Sequence, residues 1–468
     1  MLHPERYRDC SVLVLGLARS GVAVAQLFHK AGAKVIVNDM KERSLCPEAE
    51  PLEALGISVV CGSHPLELIS QEVRLLVKNP GIPYSNPLVA KAISLGIEVV
   101  TEIEVASHIA SSPLIGITGS NGKTTTTTLV HLMLLEAGMG AILAGNIGRA
   151  LTEAVQSVHA NEWLVTELSS FQLKGTVDFH PRIACLLNLY ETHLDYHGTL
   201  SDYESSKARL FHNQTAEDFA VINLDDAYCQ RIMPSLQANL FPFSAKRQLS
   251  RGVFIRNQHI VCTDPHQDYT TTSPLRDVIS VADVLLRGAH NIENALAAVA
   301  IALLAGADLQ SIRQVLSTFR GVEHRLEFVR EHDGVVYYND SKATNAVATV
   351  KSIEAFHGQP IVLICGGLDR GSDFHELLPI LRNHVKAVVT LGETREKLLE
   401  VAAQAGIRKR KSVETENANI CIQQAVEAAK TLASQGDVVL LSTACASWDM
   451  FPSYEVRGSM FKHSVHTL

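Results

Sequence analysis

The stretch that most limits what this chain can fold into is Leu114-Ile-Gly-Ile-Thr-Gly-Ser-Asn-Gly-Lys-Thr-Thr-Thr-Thr-Thr-Leu129. The apolar run from Leu114 to Ile117 reads as a buried strand. Gly119, Ser120, Asn121 and Gly122 then make a turn, and a helical pattern opens at Lys123. A strand, a glycine turn and a helix in this order aim backbone N–H groups and the positive end of the helix dipole at one anion. Lys123 would reach terminal phosphates there, and Thr124 or Thr125 would offer a hydroxyl to Mg²⁺. The strict phosphate-loop pattern needs glycine at the position of Ile117, so the loop is a variant. A plain turn has no use for a lysine and a hydroxyl run at a helix start.

At 468 residues the chain exceeds one core, and about three domains are expected. A net charge of −8 argues against nucleic acid or a membrane surface as a general partner. Nine cysteines are scattered without a C-x-x-C pair, as in a reducing compartment. Met1 to Asp9 is polar and leads straight into a strand, with no signal-like apolar core. No apolar run approaches the ~20 residues of a membrane helix. A soluble cytoplasmic protein is expected.

Val12–Leu15 reads as a buried strand. Gly16-Leu-Ala-Arg-Ser-Gly21 turns into a helix to about Lys30, and Lys34–Asn38 is the next strand, closed by Asp39. In this βαβ unit Ala18 stands where a dinucleotide fingerprint has its middle glycine, and its methyl would crowd a pyrophosphate. A nucleotide held by its base and one end of its phosphates fits better. Asp39 is either a ribose or base contact or a capping residue. The strand Leu75–Val77 runs into Asn79-Pro80-Gly81-Ile82-Pro83, a ligand turn or a structural one. Asn146 lies between glycines in Ala144-Gly-Asn-Ile-Gly148, either on a ligand or in a simple loop. Glu167 closes the strand Trp163–Leu168, well placed for Mg²⁺ in phosphoryl transfer. His193 follows the strand Ile183–Leu189, and Lys207 rides on a helix from Ser201 to Phe211. Asn291 caps and Asn294 enters a long helix to about Leu304, where an amide can read an adenine edge. Strands at Val335–Tyr338, Ile361–Cys365, Ala387–Leu391 and Val438–Leu441, separated by helices, predict a second doubly wound parallel sheet. Several end in polar groups, which build a site rather than a core. Arg325 sits at the entry to this part and could reach a phosphate.

Together, Gly119-Ser-Asn-Gly-Lys-Thr-Thr125, Gly145-Asn-Ile-Gly148, Glu167-Leu-Ser-Ser-Phe-Gln172, His193-Leu-Asp195, Lys207, Gly288-Ala-His-Asn291, His324-Arg-Leu-Glu327 and Asn339-Asp-Ser-Lys-Ala-Thr-Asn345 resemble the Mur ligases over nearly the whole chain. Gly16–Gly21, Gly366-Gly-Leu-Asp-Arg-Gly371 and Leu440–Phe451 are similar to the members that add D-glutamate. The resemblance implies an α/β fold of three domains: a Rossmann-like one over 1–100, a central P-loop-type ATPase domain over 101–320 and a C-terminal Rossmann-like parallel sheet over 321–468. It implies an ATP-dependent ligase that joins D-glutamate to UDP-N-acetylmuramoyl-L-alanine through an acyl phosphate, for peptidoglycan precursors, and that is a monomer.

The same resemblance assigns roles. Leu17, Ala18, Arg19 and Asp39 would hold the UDP, with Asn79 and Gly81 near its diphosphate and Asn146 on the substrate. Gly119, Ser120, Asn121, Gly122, Lys123, Thr124 and Thr125 would take the ATP phosphates. Thr124 and Glu167 would bind a first Mg²⁺, and His193 with a carbamylated Lys207 a second. Asn294, Arg325 and Asp340 would contact base and ribose, and Lys342 a phosphate. Thr344, Arg370, Ser447 and Tyr454 would hold D-glutamate. The competing expectations are a relative acting on another amino acid, a folate polyglutamate-type ligase, a nicotinamide oxidoreductase and an ATP-driven switch.

Overall fold

A computed structural model of the chain describes residues 1–265, 274–286, 288–356, 358–415 and 417–468. The chain forms two units, Met1–Asp283 with Glu293–Ser317, and Val284–Ile292 with Thr318–Leu468. The expected segments 1–100 and 101–320 lie almost wholly in the first, on separate sheets, and 321–468 makes up most of the second.

The first sheet of unit one is wholly parallel, in the order Ser58–Cys61, Lys34–Asp39, Ser11–Leu15, Val73–Lys78, Glu98–Thr101. Val12 to Leu15 are buried on both faces, so the strand reads as a continuous apolar run without alternation. The strand order reverses between Ser11–Leu15 and Val73–Lys78, the place where open sheets bind ligands. The turns after these two strands meet. Gly16 has φ +105°, and a Cβ there would lie 2.7 Å from Cβ of Asn79.

A second parallel sheet follows, in the order Asn239–Leu240, Phe219–Ile222, Ile183–Leu186, Leu114–Thr118, Trp163–Glu167, Ala141–Gly145. The strand after Pro113 extends through Thr118, whose hydroxyl donates to the Leu168 carbonyl at 2.7 Å. The helix Lys123–Glu136 starts where expected. Its threonine run has weak helix propensity. Burial of Thr124 to Thr127, with the Thr127 hydroxyl on the Lys123 carbonyl at 2.8 Å, holds it instead. A small third sheet, Phe243–Ser244, Val253–Arg256, His259–Cys262 and Arg276–Ser280, is mostly antiparallel and was not legible in the sequence.

The sheet of unit two runs Glu327–His332, Val335–Asp340, Val438–Ser442, Ile361–Gly366, Val385–Leu391, Lys409–Ser412. The expectation of a parallel sheet needs one correction: Glu327–His332 pairs antiparallel with Val335–Asp340. Asp333 and Gly334 join them with φ +52° and +72°, both positive as an Asp-Gly hairpin turn requires. The opposite edge, Lys409–Ser412, carries Lys409, Arg410 and Lys411, charges that discourage pairing with another chain. Among the described residues no helix is long and apolar enough to cross a membrane.

Candidate active site

The phosphate loop leaves the central strand Leu114–Thr118. Gly122 caps the helix that follows with φ +86°, and a Cβ there would overlap the Asn294 side-chain oxygen. The glycine therefore admits Asn294, which the helix Ala289–Ala305 delivers from far along the chain. The loop is held from the neighbouring strand end. Asn188 accepts the Ser120 N–H on its carbonyl and the Asn121 N–H on its side chain, both at 3.0 Å. The Ser120 hydroxyl meets the Tyr203 hydroxyl at 2.8 Å. Lys123 Nζ donates to the Gly119 and Ser120 carbonyls at 2.8 and 3.1 Å, so its charge lies along the loop. Thr124 and Thr125 are buried in the first turn. Beside Tyr190, Asp226, Tyr228, Lys246 and Glu293 opens a cleft of about 410 Å³, large enough for a nucleobase.

Glu167 ends the adjacent strand and is 2 % exposed. Its Oε1 accepts the Asn146 amide at 2.7 Å, while its buried Oε2 has no hydrogen-bond partner. A buried carboxylate oxygen left open is costly unless something else binds it, and a divalent cation fits that donor. Lys207 is wholly buried, with Nζ on the Gly119 carbonyl at 2.9 Å and the Thr118 hydroxyl at 3.2 Å. Burial, with Lys123 nearby, holds its amine well below the usual lysine range, against the pull of Glu167. The Lys207 ammonium position lies 4.9 Å from the Tyr203 ring centre, and the His193 ring packs on the same tyrosine at 6.2 Å. His193 is left-handed, φ +58°, where it opens the short helix Leu194–His197. Lys123, Glu167, Asn146 and Lys207 thus gather at the ends of adjacent strands, with His193 joined to them through Tyr203. Neither Asn188 nor Tyr203 was picked out from the sequence. The available signal was an asparagine closing a wholly apolar strand.

At the switch point of the first sheet, Asp39 accepts the Leu17 N–H at 2.7 Å and the Lys41 N–H at 2.9 Å. It therefore shapes the glycine turn. Ala18 caps the helix Arg19–Lys30. The Arg19 guanidinium donates to the Gly148 carbonyl at 2.7 Å, tying this turn to the Asn146 loop. Asn79 accepts the Gly81 N–H at 3.2 Å. Asn146, expected on substrate, orients Glu167 here.

In unit two the expected residues follow three neighbouring strands, Val335–Asp340, Val438–Ser442 and Ile361–Gly366. Asp340 is buried, accepts the Ser442 hydroxyl at 2.8 Å and the Leu326 N–H at 3.2 Å, and is pushed up to about 6 by burial. Arg325 lies between left-handed His324 and Leu326, φ +64° and +44°. Its charge reaches both Asp340 and His290, and burial drives the latter down to about 4. The Lys342 ammonium lies 5.6 Å from the Tyr454 ring centre, and Tyr454 meets His324 edge to face. Ser447 is buried and Thr344 exposed. The Arg370 guanidinium stacks 5.0 Å over Trp448, a ring that is 65 % exposed. Arg457 escaped sequence reading. Completely buried, it binds Ser341 through Nε at 3.0 Å and the Cys445 carbonyl at 3.1 Å, joining the loops that carry Lys342 and Ser447.

Family models match in chain order: the Mur ligase MurD-like N-terminal domain at 10–101, the Mur ligase middle domain at 117–302 and the Mur ligase glutamate ligase domain at 324–445. UDP-N-acetylmuramoylalanine–D-glutamate ligase of Geobacillus kaustophilus (strain HTA426) is 50 % identical over 468 residues, the full length of both chains. The enzyme of that name from Bacillus subtilis (strain 168) is 45 % identical over 97 % of each. Among solved structures, MurF from Acinetobacter baumannii aligns over 92 % of this chain and 91 % of its own, with TM-score 0.59 and 18 % identity. A pseudomurein peptide ligase type C from Methanothermus fervidus aligns over 98 % and 100 %, with TM-score 0.56 and 16 % identity. These two likenesses concern the fold.

Proposed function

The chain belongs to the Mur ligase family, and from that premise we propose that it joins D-glutamate to UDP-N-acetylmuramoyl-L-alanine in an ATP-dependent, ADP-forming reaction of cytoplasmic peptidoglycan-precursor synthesis. One observation carries the reading. The phosphate loop with Lys123, the open oxygen of Glu167 and the buried Lys207 amine meet at the ends of neighbouring strands. Identity of about half along full-length D-glutamate ligases supports the choice of amino acid. Residues 1–100 would hold the UDP substrate, 101–320 ATP and 321–468 D-glutamate, a division that the matched spans support.

A carboxylate is a poor acyl donor. The γ-phosphoryl of ATP passes to the terminal L-alanine carboxylate, giving an acyl phosphate and ADP. The D-glutamate amine attacks the acyl carbon, and the tetrahedral species expels phosphate to leave the amide. No enzyme nucleophile is needed, so positioning and charge neutralisation do the catalysis. Lys123 lies against the phosphates, and the cleft by Tyr190 and Glu293, next to Asn294, takes the base. Thr124 with Glu167, and His193 with Lys207, would hold two Mg²⁺ ions, which when bound offset the charge of two anionic oxygens brought together. An ammonium repels a cation, so Lys207 would ligate as its carbamate. The neutral amine is the form that takes up CO₂, and burial shifts Lys207 toward it. Asn79, Gly81, Leu17, Ala18 and Arg19 line the UDP end, with Asp39 shaping it. Arg325, Asp340 and Lys342 serve the nucleotide, and Thr344, Arg370, Ser447 and Tyr454 serve D-glutamate.

The purified protein should release phosphate from ATP only when UDP-N-acetylmuramoyl-L-alanine and D-glutamate are both present. L-Alanine, meso-diaminopimelate and L-lysine should not replace D-glutamate. Release that ignores the amino acid, or prefers one of the other three, would count against the proposal.

A further inference from the structure

Lys78 closes the strand Val73–Lys78 and is 1 % exposed, with no carboxylate among its partners. A lysine so buried is rare unless something specific holds it. Its three N–H groups have three acceptors: the Pro80 carbonyl at 3.3 Å, the Ile82 carbonyl at 2.9 Å and the Tyr196 hydroxyl at 3.0 Å. Tyr196 in turn donates to the Pro80 carbonyl at 3.0 Å. The turn between them is rich in proline, and its inward carbonyls need outside donors. Lys78 and Tyr196 supply them.

Tyr196 sits three residues after His193 on the short helix Leu194–His197. Phe171 packs edge-on against both rings, 4.5 Å from Tyr196 and 5.0 Å from His193. The aromatic cage is clamped from outside. Lys174 lies 5.8 Å from the Tyr196 ring centre and pairs with Asp202 at 2.6 Å. Asp202 holds His197 at 2.7 Å, and His197 holds the Ser170 hydroxyl at 3.0 Å. Tyr196 therefore cannot turn without disturbing either the 79–83 turn or the ring beside His193. With every N–H engaged, the Lys78 amine acts as a donor hub, not as a nucleophile. Burial and the neighbouring Lys174 charge bring it down to about 7, and the three acceptors work against that shift by favouring the charged donor.

We infer that Lys78 and Tyr196 form a positioning pin that couples the Asn79–Pro83 turn to the segment carrying His193, so that the UDP-substrate end and the metal-binding end of the site are set together. The functional part rests on the proposed ligase reading; the mechanical part does not. Two variants test it, Tyr196→Phe, which keeps the ring, and Lys78→Met, which keeps the length. Hydrogen exchange in the full chain should rise in Tyr196→Phe at the Gly81 and Ile82 amides and also over residues 193–200. Faster exchange in neither segment, or in only one, overturns the coupling whatever the enzyme acts on. In turnover assays each variant should raise the KM for UDP-N-acetylmuramoyl-L-alanine and the Mg²⁺ needed for half-maximal rate by about tenfold. The KM for ATP should stay within about twofold, and the double variant should be no worse than the poorer single one. Unchanged KM and Mg²⁺ requirement in Tyr196→Phe would reduce the pin to a structural contact. If the wild-type chain does not turn over this substrate, the ligase reading fails, and the exchange result still decides the pin.

Discussion

Asp340 is a carboxyl that the fold keeps against its ordinary chemistry. Burial moves it from 3.8 to about 6, although the Ser442 hydroxyl and Leu326 N–H favour its charged form. A raised folded value means that its contribution to stability is full below 3.8 and is lost as pH rises through about 6. The whole difference is about 3 kcal/mol. Asp340→Asn, neutral at every pH, should abolish that loss. In urea unfolding of the full chain, wild type should weaken relative to the variant between pH 4 and about 6.5. Parallel pH profiles for the two proteins would refute the assignment. Single residues were unevenly legible. Lys123 and Glu167 could be found because a lysine in the glycine turn and a glutamate closing an apolar strand are conspicuous, whereas Lys207 on its helix stood out only through the family resemblance. Asn188, Tyr203, Lys78 and Arg457 could not, because their roles come from burial and from partners distant in the chain.

At the level of elements, the strand–turn–helix grammar was the readable part. The strand Leu114–Thr118, the start of Lys123–Glu136 and the ends of Arg19–Lys30 and Ala289–Ala305 lie within a residue of where they were expected, since apolar runs and glycine punctuation fix them. The antiparallel pieces were missed. Glu327–His332 mixes charge with apolar residues and is only half-buried, so only the Asp333-Gly334 turn betrays it. The four strands between Phe243 and Ser280 are too short to show a period. The phosphate turn offers a test at this scale. Gly122 combines φ +86° with a side chain, Asn294, lying where its own Cβ would be. Gly122→Ala should therefore weaken ATP binding at least about tenfold in calorimetry, while the left-handed backbone costs only about 1 kcal/mol of stability. Wild-type ATP affinity in that variant would show that the loop and Asn294 do not depend on their close approach.

For the molecule as a whole, the order of motifs along the chain says more than any one of them. A glycine turn with a lysine suits many phosphate chemistries. A buried carboxylate oxygen without a hydrogen-bond partner, a buried lysine amine held well below its usual range and a second parallel sheet with its own glycine turn in the same unit are what a ligase that activates a carboxylate with ATP needs. The division into sheets could be read from alternating strands and helices, but the partition of the chain into units could not, because the helix Ala289–Ala305 contributes to both. The decisive measurement follows the oxygen atoms. UDP-N-acetylmuramoyl-L-alanine labelled with ¹⁸O in its alanine carboxylate is turned over with ATP and D-glutamate, and the released phosphate is weighed by mass spectrometry. Transfer of one ¹⁸O per phosphate is predicted, because the carboxylate oxygen leaves with the phosphoryl group; phosphate free of label would contradict the account.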